Sequence, residues 1–473
     1  MKSIQIFKDK SSQAYNLLLI AAVLSFLPML NLYYVGEEAI FPIVSMEMWQ
    51  QGAWLKQYLY GADVQHNPLF NWLIISFSTL LGWTNVLEIS RSLTICATLT
   101  SASVLAWLTW RLFHERNFAA FAALTYLTFN DVLMYRGWLA YVDPLFAMFI
   151  FSAIAALWIA CTEQRHGLLW LAAIALTCAF LSKAFTAYVF YGAALVVLAR
   201  SHTGRKFLFS PVSLAAHAAM LFAPLLWFAL IPAGHSQSGR MFDEILSKLV
   251  FPSISEYLAK LLSFPVEIWV GTLPIGALLV FFAVRRRITQ TEAHPEHFRS
   301  AVLIATLNFL PYWLAPYSSI RYLLPIYPLF ALIVARLIWR AGDASMHTTR
   351  RWLAATIALN FLLGLVLFPY YQHQFRGKNY AATAADIISI TQGQPIYVSN
   401  PTSAGLNVTA YINQQRYPQQ ALHWPPQNLE SGFIIAMGND SPLDKTVREY
   451  QLAGDKLYLL CRGTACEHGL PIK

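Results

Sequence analysis

Eleven long apolar stretches constrain this chain more than any other feature. Each is long enough to cross the roughly 30 Å hydrocarbon core of a bilayer as a helix. They lie near residues 14–33, 92–110, 117–134, 143–161, 167–182, 185–199, 211–232, 264–284, 300–316, 320–339 and 352–370. Only 12% of the 473 residues are charged, against about 25% in a typical soluble domain. The sequence therefore predicts a mainly α-helical, polytopic transmembrane bundle.

The basic residues predict how these stretches cross the membrane. They cluster at the N-terminus and near residues 111–116, 163–167, 200–206, 285–287 and 340–351. Lys and Arg concentrate in cytoplasmic loops of membrane proteins, so all of these clusters should face the cytoplasm. With the N-terminus inside, eleven spans satisfy this rule if the borderline stretch Pro68–Trp83 is a juxtamembrane helix at the outer interface. The net charge of +9 then reflects topology and does not indicate a nucleic-acid partner.

The last hundred residues have a different character. Residues 372–473 are mostly polar, and β-like runs at 395–400, 432–438 and 456–461 alternate with helix-like runs such as "TAADIISI". This pattern predicts a small α/β domain on the outer, periplasmic face, separate from a membrane domain at 1–371 whose first outer loop is 34–90. On an oxidising outer face, Cys461 and Cys466 could form a local disulfide.

Ionisable side chains gather at the outer ends of the predicted spans. Glu37 and Glu38 follow the first span, Asp143 opens the fourth, Lys183 lies between the fifth and sixth, and Arg321 opens the tenth. Each alone also fits an interfacial anchor whose charged end reaches water. Together they suit one chemistry, because a carboxylate takes a proton from an acceptor hydroxyl and cations stabilise a departing phosphate. No Gly-rich nucleotide motif accompanies them.

Four segments carry a family resemblance. They are "EEAIF…MEMWQQGAWLKQYLYG" at 37–61, "YVDPL" around Asp143, "SKAF" at 182–185 and "RYLLPIYPLFAL" at 321–332. In these segments the chain resembles the superfamily of bacterial protein O-mannosyltransferases and lipid A aminoarabinose transferases, the polytopic GT-C glycosyltransferases. The resemblance covers most of the membrane region, whereas the C-terminal tail contributes little to it.

The resemblance implies a polyprenyl-phosphate-linked sugar as donor, and a lipid, glycan or protein as acceptor on the periplasmic face of the inner membrane. It implies an acid/base role for Glu37, with Asp143 as a second catalytic carboxylate. Substrate contacts are then expected from Lys183, Arg321, Tyr322 and His66. Glu38 is expected to bind the acceptor, to orient Glu37 or to cap the following helix. The superfamily's charged turn reads "QHNP" here, with Gln65 and His66 in place of a carboxylate and an amine. No cofactor is required by this prediction, and a divalent metal is left open.

Two other functions are compatible with the same pattern. A transporter or flippase for lipid-linked sugars needs ionisable groups deep in the bundle and access from both faces. The charged residues here cluster on one face, and no paired broken-helix repeat is visible. A non-catalytic scaffold would instead use the outer α/β domain to bind a partner, and Glu37 would then be dispensable.

Overall fold

The computed structural model describes residues 2–64, 67–183, 185–231, 253–439, 441–452 and 454–468. Its α-helices, α1 to α19 in chain order, are Lys2–Leu24, Ile40–Gln51, Leu69–Leu81, Val86–Phe113, Arg116–Leu127, Asp143–Glu163, His166–Ser182, Thr186–Leu198, His202–Leu208, Pro211–Leu230, Ile254–Gly271, Ile275–Val284, Pro295–Leu314, Tyr327–Trp339, Asp343–Leu362, Phe368–Phe375, Gly377–Thr391, Ser403–Arg416 and Ala465–His468. Three 3-10 helices cover Leu27–Asn31, Trp83–Asn85 and Ile320–Ile326, and two π-helical turns cover Val132–Arg136 and Leu363–Leu367. The strands β1 to β6 are Gln57–Leu59, Ala62–Val64, Ile396–Val398, Gly432–Ala436, Lys445–Leu452 and Asp455–Arg462.

The chain divides into two compact units. Unit one consists of Met1–Leu27, Thr94–Trp138 and Val142–Phe361, and unit two of Pro28–Leu93, Leu139–Tyr141 and Leu362–Lys473. The first loop therefore shares a unit with the C-terminal residues, a long-range grouping that hydropathy does not reveal. The domain boundary between 371 and 372 stays a prediction.

The long apolar helices confirm a polytopic helical bundle. Within the described residues, six helices are long and apolar enough to cross a membrane: Ser12–Asn31, Trp83–Phe113, Asp143–Glu163, Pro211–Leu230, Ile320–Trp339 and Asp343–Phe375. Helices α3, α7 and α8 are apolar but shorter. At 1.5 Å per residue, the 13 residues of α3 reach only about 20 Å, which suits the juxtamembrane position predicted for Pro68–Trp83. The count of eleven spans stays a prediction.

The stretch 264–284, predicted as one continuous span, is instead broken. Helices α11 and α12 meet at a bend of 102°. Pro274 immediately precedes α12, and a proline lacks the N–H that would continue the hydrogen-bond ladder from α11. Interruptions of this kind persist at membrane depth only where protein or a water-filled cavity surrounds the freed backbone groups.

A four-stranded sheet forms the C-terminal part of unit two and confirms the predicted small sheet domain. Its strand order is β3-β4-β6-β5, with β3 parallel to β4 and the other pairs antiparallel. Successive residues of β4 pack on opposite faces. Phe433 and Ile435 join the main core with residues of α17, α18 and the first loop, whereas Ile434 and Ala436 join a small cluster on the other face.

Cys461 and Cys466 are joined in a disulfide bond that closes a five-residue separation at the end of β6. Cys461 is buried in the main core of unit two. The bond therefore ties the short helix α19 to the end of the sheet. Because the closed loop is so short, we expect only a small entropic contribution to stability.

A buried carboxylate secures the hairpin of β1 and β2. Glu47 of α2 is fully buried, and its two oxygens accept hydrogen bonds from the backbone amides of Tyr60 (2.7 Å) and Gly61 (2.9 Å). Burial raises the pKa of Glu47 to about 7, although the two backbone donors act in the opposite direction. No cation pairs with this carboxylate among the described ion pairs.

The raised pKa of Glu47 predicts a pH-dependent stability. A carboxyl group whose pKa is higher in the folded than in the unfolded protein stabilises the fold at low pH, and this contribution is lost as pH rises from about 4.5 to about 7. Between pH 5 and 8 the loss should reach at most about 3 kcal/mol. Thermal unfolding of the purified protein should show a steeper decline with pH than unfolding of Glu47→Gln. The variant should also be less stable overall, because an amide cannot accept both hydrogen bonds. Equal pH slopes for the two proteins would contradict the prediction.

Candidate active site

A fully buried ion pair fixes the loop that follows the first helix. Glu38 and Arg91 are both inaccessible to solvent, and two charge-assisted hydrogen bonds of 2.7 Å each join them side by side. Arg91 also donates to the carbonyls of Met29 (3.0 Å), Leu32 and Tyr33 (2.8 Å). This bidentate geometry is specific to arginine, because lysine lacks the planar fork. The pair therefore holds the backbone from residue 29 to residue 38.

Backbone donors occupy the remaining acceptor positions of Glu38. The amide of Val35 donates to Oε2 at 3.0 Å, and that of Ala140 donates to Oε1 at 2.8 Å. With no exposed surface, Glu38 cannot touch a substrate without being pulled out of this network. Its geometry is that of a positioning residue, one of the roles that the sequence left open for it, and a substrate contact by Glu38 stays a prediction.

Glu37 points the other way. Its side chain is exposed, and its carboxylate makes no hydrogen bond or ion pair within the described part of the chain. The residue before the two acids, Gly36, has a left-handed backbone with a φ of +60°. Asn407 donates to the Gly36 carbonyl at 3.1 Å. The Glu38 side chain is buried, whereas the Glu37 side chain is presented to solvent.

In unit one, Asp143 and Lys183 form an ion pair. Asp143 is the first residue of α6, followed by Pro144, and Lys183 directly follows the last residue of α7. Because α6 and α7 pack along each other, their neighbouring ends bring the two side chains together. The side chains are 12% and 24% exposed, so the pair is largely desolvated yet accessible from one side.

Tyr322 completes this cluster. It lies on the 3-10 helix Ile320–Ile326, and its ring is 4.9 Å from Nζ of Lys183, within the range of a cation–π contact. The neighbouring Arg321 is exposed, and its guanidinium lies 5.2 Å from the same ring. The structure thus brings Asp143, Lys183, Tyr322 and Arg321 together as a carboxylate, two cations and a phenol.

The other predicted residues are distributed differently. Glu37 and Glu38 belong to unit two, so their convergence with the cluster in unit one stays a prediction. His66 and Gln65 lie outside the described residues. Within the described residues, no three His, Cys, Asp or Glu side chains are grouped so that they could hold a metal ion.

Sequence patterns alone did not single out two charged residues of evident structural importance. Arg91 opens a predicted span, and Arg136 follows another, so both fall at the margins of apolar stretches. The signal that could have found them is that each is an ionisable residue on the predicted outer side that belongs to none of the basic loops. Such residues are costly near a bilayer and usually have a partner or a function. The partner of Arg91 lies 53 positions earlier in the chain, which no local pattern can indicate.

Comparison with known proteins agrees with this arrangement. The family profile described as dolichyl-phosphate-mannose-protein mannosyltransferase matches residues 65–228, which include Asp143 and Lys183. An undecaprenyl phosphate-alpha-4-amino-4-deoxy-L-arabinose arabinosyl transferase from Pectobacterium atrosepticum is 27% identical over 340 residues, 70% of this chain and 59% of that protein. The protein of the same name from Pectobacterium carotovorum is 26% identical over 362 residues, 74% of this chain and 63% of that one. In sequence the chain is therefore similar to GT-C protein O-mannosyltransferases and lipid A aminoarabinose transferases.

Solved structures show that the likeness in fold extends over nearly the whole chain. The crystal structure of ArnT from Cupriavidus metallidurans bound to undecaprenyl phosphate superposes with a TM-score of 0.71 at 14% identity, covering 94% of this chain and 97% of that one. Its apo state gives 0.69, covering 95% and 98%. By sequence, however, the chain spans about three fifths of the length of the two Pectobacterium relatives.

Proposed function

We propose that this protein is an integral-membrane glycosyltransferase that moves a sugar from a polyprenyl-phosphate donor to a hydroxyl of a lipid, glycan or protein acceptor. One observation carries the proposal: Glu37 is an exposed carboxylate without a partner in the described chain, on a loop held by a fully buried ion pair. An unpaired, fixed carboxylate suits a general base. The likeness to an ArnT bound to undecaprenyl phosphate supports the class of donor.

The reaction assigns a task to each exposed group. Glu37 removes the proton of the acceptor hydroxyl as its oxygen attacks the anomeric carbon. The bond between that carbon and the phosphate oxygen breaks, and the bonding electrons leave with the phosphate. Lys183 and Arg321 stabilise the charge on the departing phosphate. Because attack and departure occur on opposite sides of the ring, the anomeric configuration inverts.

The remaining residues support these tasks. Asp143 orients Lys183 through their ion pair. Once a phosphate takes the place of Asp143 beside Lys183, the Asp143 carboxylate can hold the acceptor. Tyr322 keeps the ammonium group over its ring. Glu38 fixes the position of Glu37 without touching a substrate. We assign His66 a contact with the donor phosphate as part of the same proposal.

The predicted topology completes the proposal. A multi-pass protein of the bacterial inner membrane, with its basic loops in the cytoplasm, would present these groups and the C-terminal sheet domain to the periplasm. The relatives are named as transferases, which favours transfer over the transporter alternative, and no observation in the fold favours a scaffold. Their names also make 4-amino-4-deoxy-L-arabinose the first sugar to test.

Mass spectrometry of envelope glycolipids and glycoproteins, from cells with and without the gene, tests the proposed function. We expect one sugar-sized modification, of pentose or hexose mass, to disappear with the gene and to return with the wild-type copy. The modified molecule identifies the acceptor, and the mass difference identifies the sugar. An unchanged envelope, together with no transfer by purified protein from polyprenyl-phosphate sugars, would refute the proposal.

Lys183 offers a test of how the donor phosphate is held. Replacing it with Met removes a charge-assisted hydrogen bond worth about 1.5–3 kcal/mol, so we expect kcat/KM for the donor to fall by about 10- to 150-fold. Lys183→Arg keeps the cation and should retain more activity. Asp143→Asn leaves Lys183 charged and should affect the KM of the donor less than Lys183→Met does. An unchanged kcat/KM in Lys183→Met would exclude Lys183 as a phosphate contact.

A further inference from the structure

A second charged cluster lies in unit one, apart from the groups that have a task in the proposed reaction. Asp131 is 8% exposed and accepts hydrogen bonds from Nε of Arg136, at 2.9 Å to each oxygen, and from the hydroxyl of Tyr327, at 2.8 Å. The carboxylate is therefore compensated by one cation and one neutral donor. The proposed transfer mechanism requires neither Asp131 nor Arg136.

Irregular backbone surrounds this cluster. Arg136 ends the π-helical turn Val132–Arg136, and the break between α11 and α12 packs against the preceding residues. The backbone amide of Asn130 donates a hydrogen bond to the carbonyl of Leu273 at 2.9 Å across this junction. Gly271 lies against Asp131, since a Cβ atom added to Gly271 would be 3.3 Å from the Cβ of Asp131. π-helical turns and broken membrane helices both occur preferentially at functional sites. Two such interruptions meet at Asp131.

The guanidinium of Arg136 has donors to spare. Only Nε is engaged by Asp131, and the two Nη atoms have no hydrogen-bond partner within the described part of the chain. The Arg136 side chain is 18% exposed, so part of it is accessible to solvent. Asp131 fixes the orientation of the guanidinium through its two hydrogen bonds with Nε. A planar, pre-oriented pair of N–H donors matches the oxygens of a phosphate.

The position of Arg136 relates it to the first cluster. Tyr327 follows the 3-10 helix that begins with Ile320 and contains Arg321 and Tyr322. At about 2 Å per residue, the five positions from Tyr322 to Tyr327 separate the backbones of these two residues by about 10 Å. This spacing leaves room for a separate phosphate contact next to the one assigned to Lys183.

Resting on the proposed function, we propose that Arg136 binds a phosphate group of a substrate through its Nη edge, with Asp131 as the positioning residue. The phosphate belongs either to the polyprenyl donor or to a phosphorylated acceptor lipid. Both sources present the same oxygens to the guanidinium, and binding and kinetics separate them.

The test uses the purified full-length protein and the double variant Asp131→Asn/Arg136→Gln, which removes both charges and leaves no buried carboxylate unpaired. Tyr327→Phe is the matched control, because it perturbs the same cluster without touching the Nη atoms. Binding of a short-chain polyprenyl phosphate is measured in detergent, and the KM of the donor and of lipid A, with and without its phosphate groups, is measured by transfer.

If the donor supplies the phosphate, the double variant should bind polyprenyl phosphate at least tenfold more weakly and the KM of the donor should rise similarly. If the acceptor supplies it, only the KM of phosphorylated lipid A should rise. In either case Tyr327→Phe should stay within about threefold of wild type. A folded double variant with wild-type binding and both KM values unchanged, or a Tyr327→Phe variant with the same defects, would overturn the inference while leaving the proposed function intact. A wild-type protein that neither binds polyprenyl phosphate nor transfers a sugar would refute both.

Discussion

Glu37→Gln should lose sugar transfer while the protein folds normally. General-base catalysis contributes about 10²- to 10⁴-fold, and an amide cannot take the proton of the acceptor, so we expect kcat to fall by that factor. Stability should be unchanged, because the Glu37 side chain is exposed and has no partner in the described chain. Transfer from a labelled polyprenyl-phosphate sugar, measured beside the melting temperature in detergent, checks both expectations.

Glu88→Gln provides a matched control for this experiment. Glu88 is also an exposed carboxylate of unit two, in the first turn of α4, and it has no task in the proposed reaction. The control should transfer sugar at the wild-type rate, which separates the loss of a particular base from the loss of one negative charge. Near-normal transfer by Glu37→Gln would remove the proposed base and, with it, the observation that carries the function.

Replacing Glu37 with Asp tests the position of the carboxylate, because the variant keeps a base of the same chemical type. In the superfamily that the first loop resembles, the corresponding acid is usually Asp, so we expect the local loop to match the longer side chain of Glu37. Glu37→Asp retains a base but withdraws it by one methylene, and a displacement of about 1 Å can cost about 10²-fold in rate. We therefore expect intermediate activity, above that of Glu37→Gln and below that of wild type.

The sequence predicted the architecture of the chain better than it predicted the roles of individual residues. Hydropathy indicated the helical bundle, and the β-like runs at 395–400, 432–438 and 456–461 correspond to strands β3, β4 and β6. Strand β5 was missed, because it is exposed along most of its length and lacks the apolar alternation that reveals a half-buried strand. Helix α18 was missed because its apolar residues show no clear helical period.

The roles of the two adjacent acids show most clearly what a sequence leaves out. "GEEAIF" identifies Glu37 and Glu38 as a pair. Glu37 was predicted to catalyse, whereas Glu38 was predicted to bind the acceptor, to orient Glu37 or to cap the following helix. Their assignments separate only in three dimensions, where the Glu37 side chain is exposed and the Glu38 side chain is buried against Arg91. The pairing of Asp143 with Lys183 was easier to anticipate, because both were placed at the outer ends of successive spans.

Arg91→Met should destabilise the protein severely. It would leave the Glu38 carboxylate buried without a counter-charge, and removing one partner of a buried pair costs about 3–5 kcal/mol. The carbonyls of Met29, Leu32 and Tyr33 would lose their donor as well. We expect little folded protein in the membrane, and a melting temperature lowered by many degrees in whatever can be purified.

Two further variants separate the ion pair from ordinary surface charge. Arg111→Met breaks the pair with Glu163, whose side chains are 27% and 23% exposed, and such partly solvated pairs contribute only about 0–1 kcal/mol. Glu38→Gln/Arg91→Met removes both buried charges and should recover part of the stability lost by Arg91→Met alone. If Arg91→Met were no less stable than Arg111→Met, the loop would be held by other contacts.

Any folded Arg91→Met protein should also transfer sugar poorly, since the backbone that presents Glu37 is the backbone that Arg91 holds.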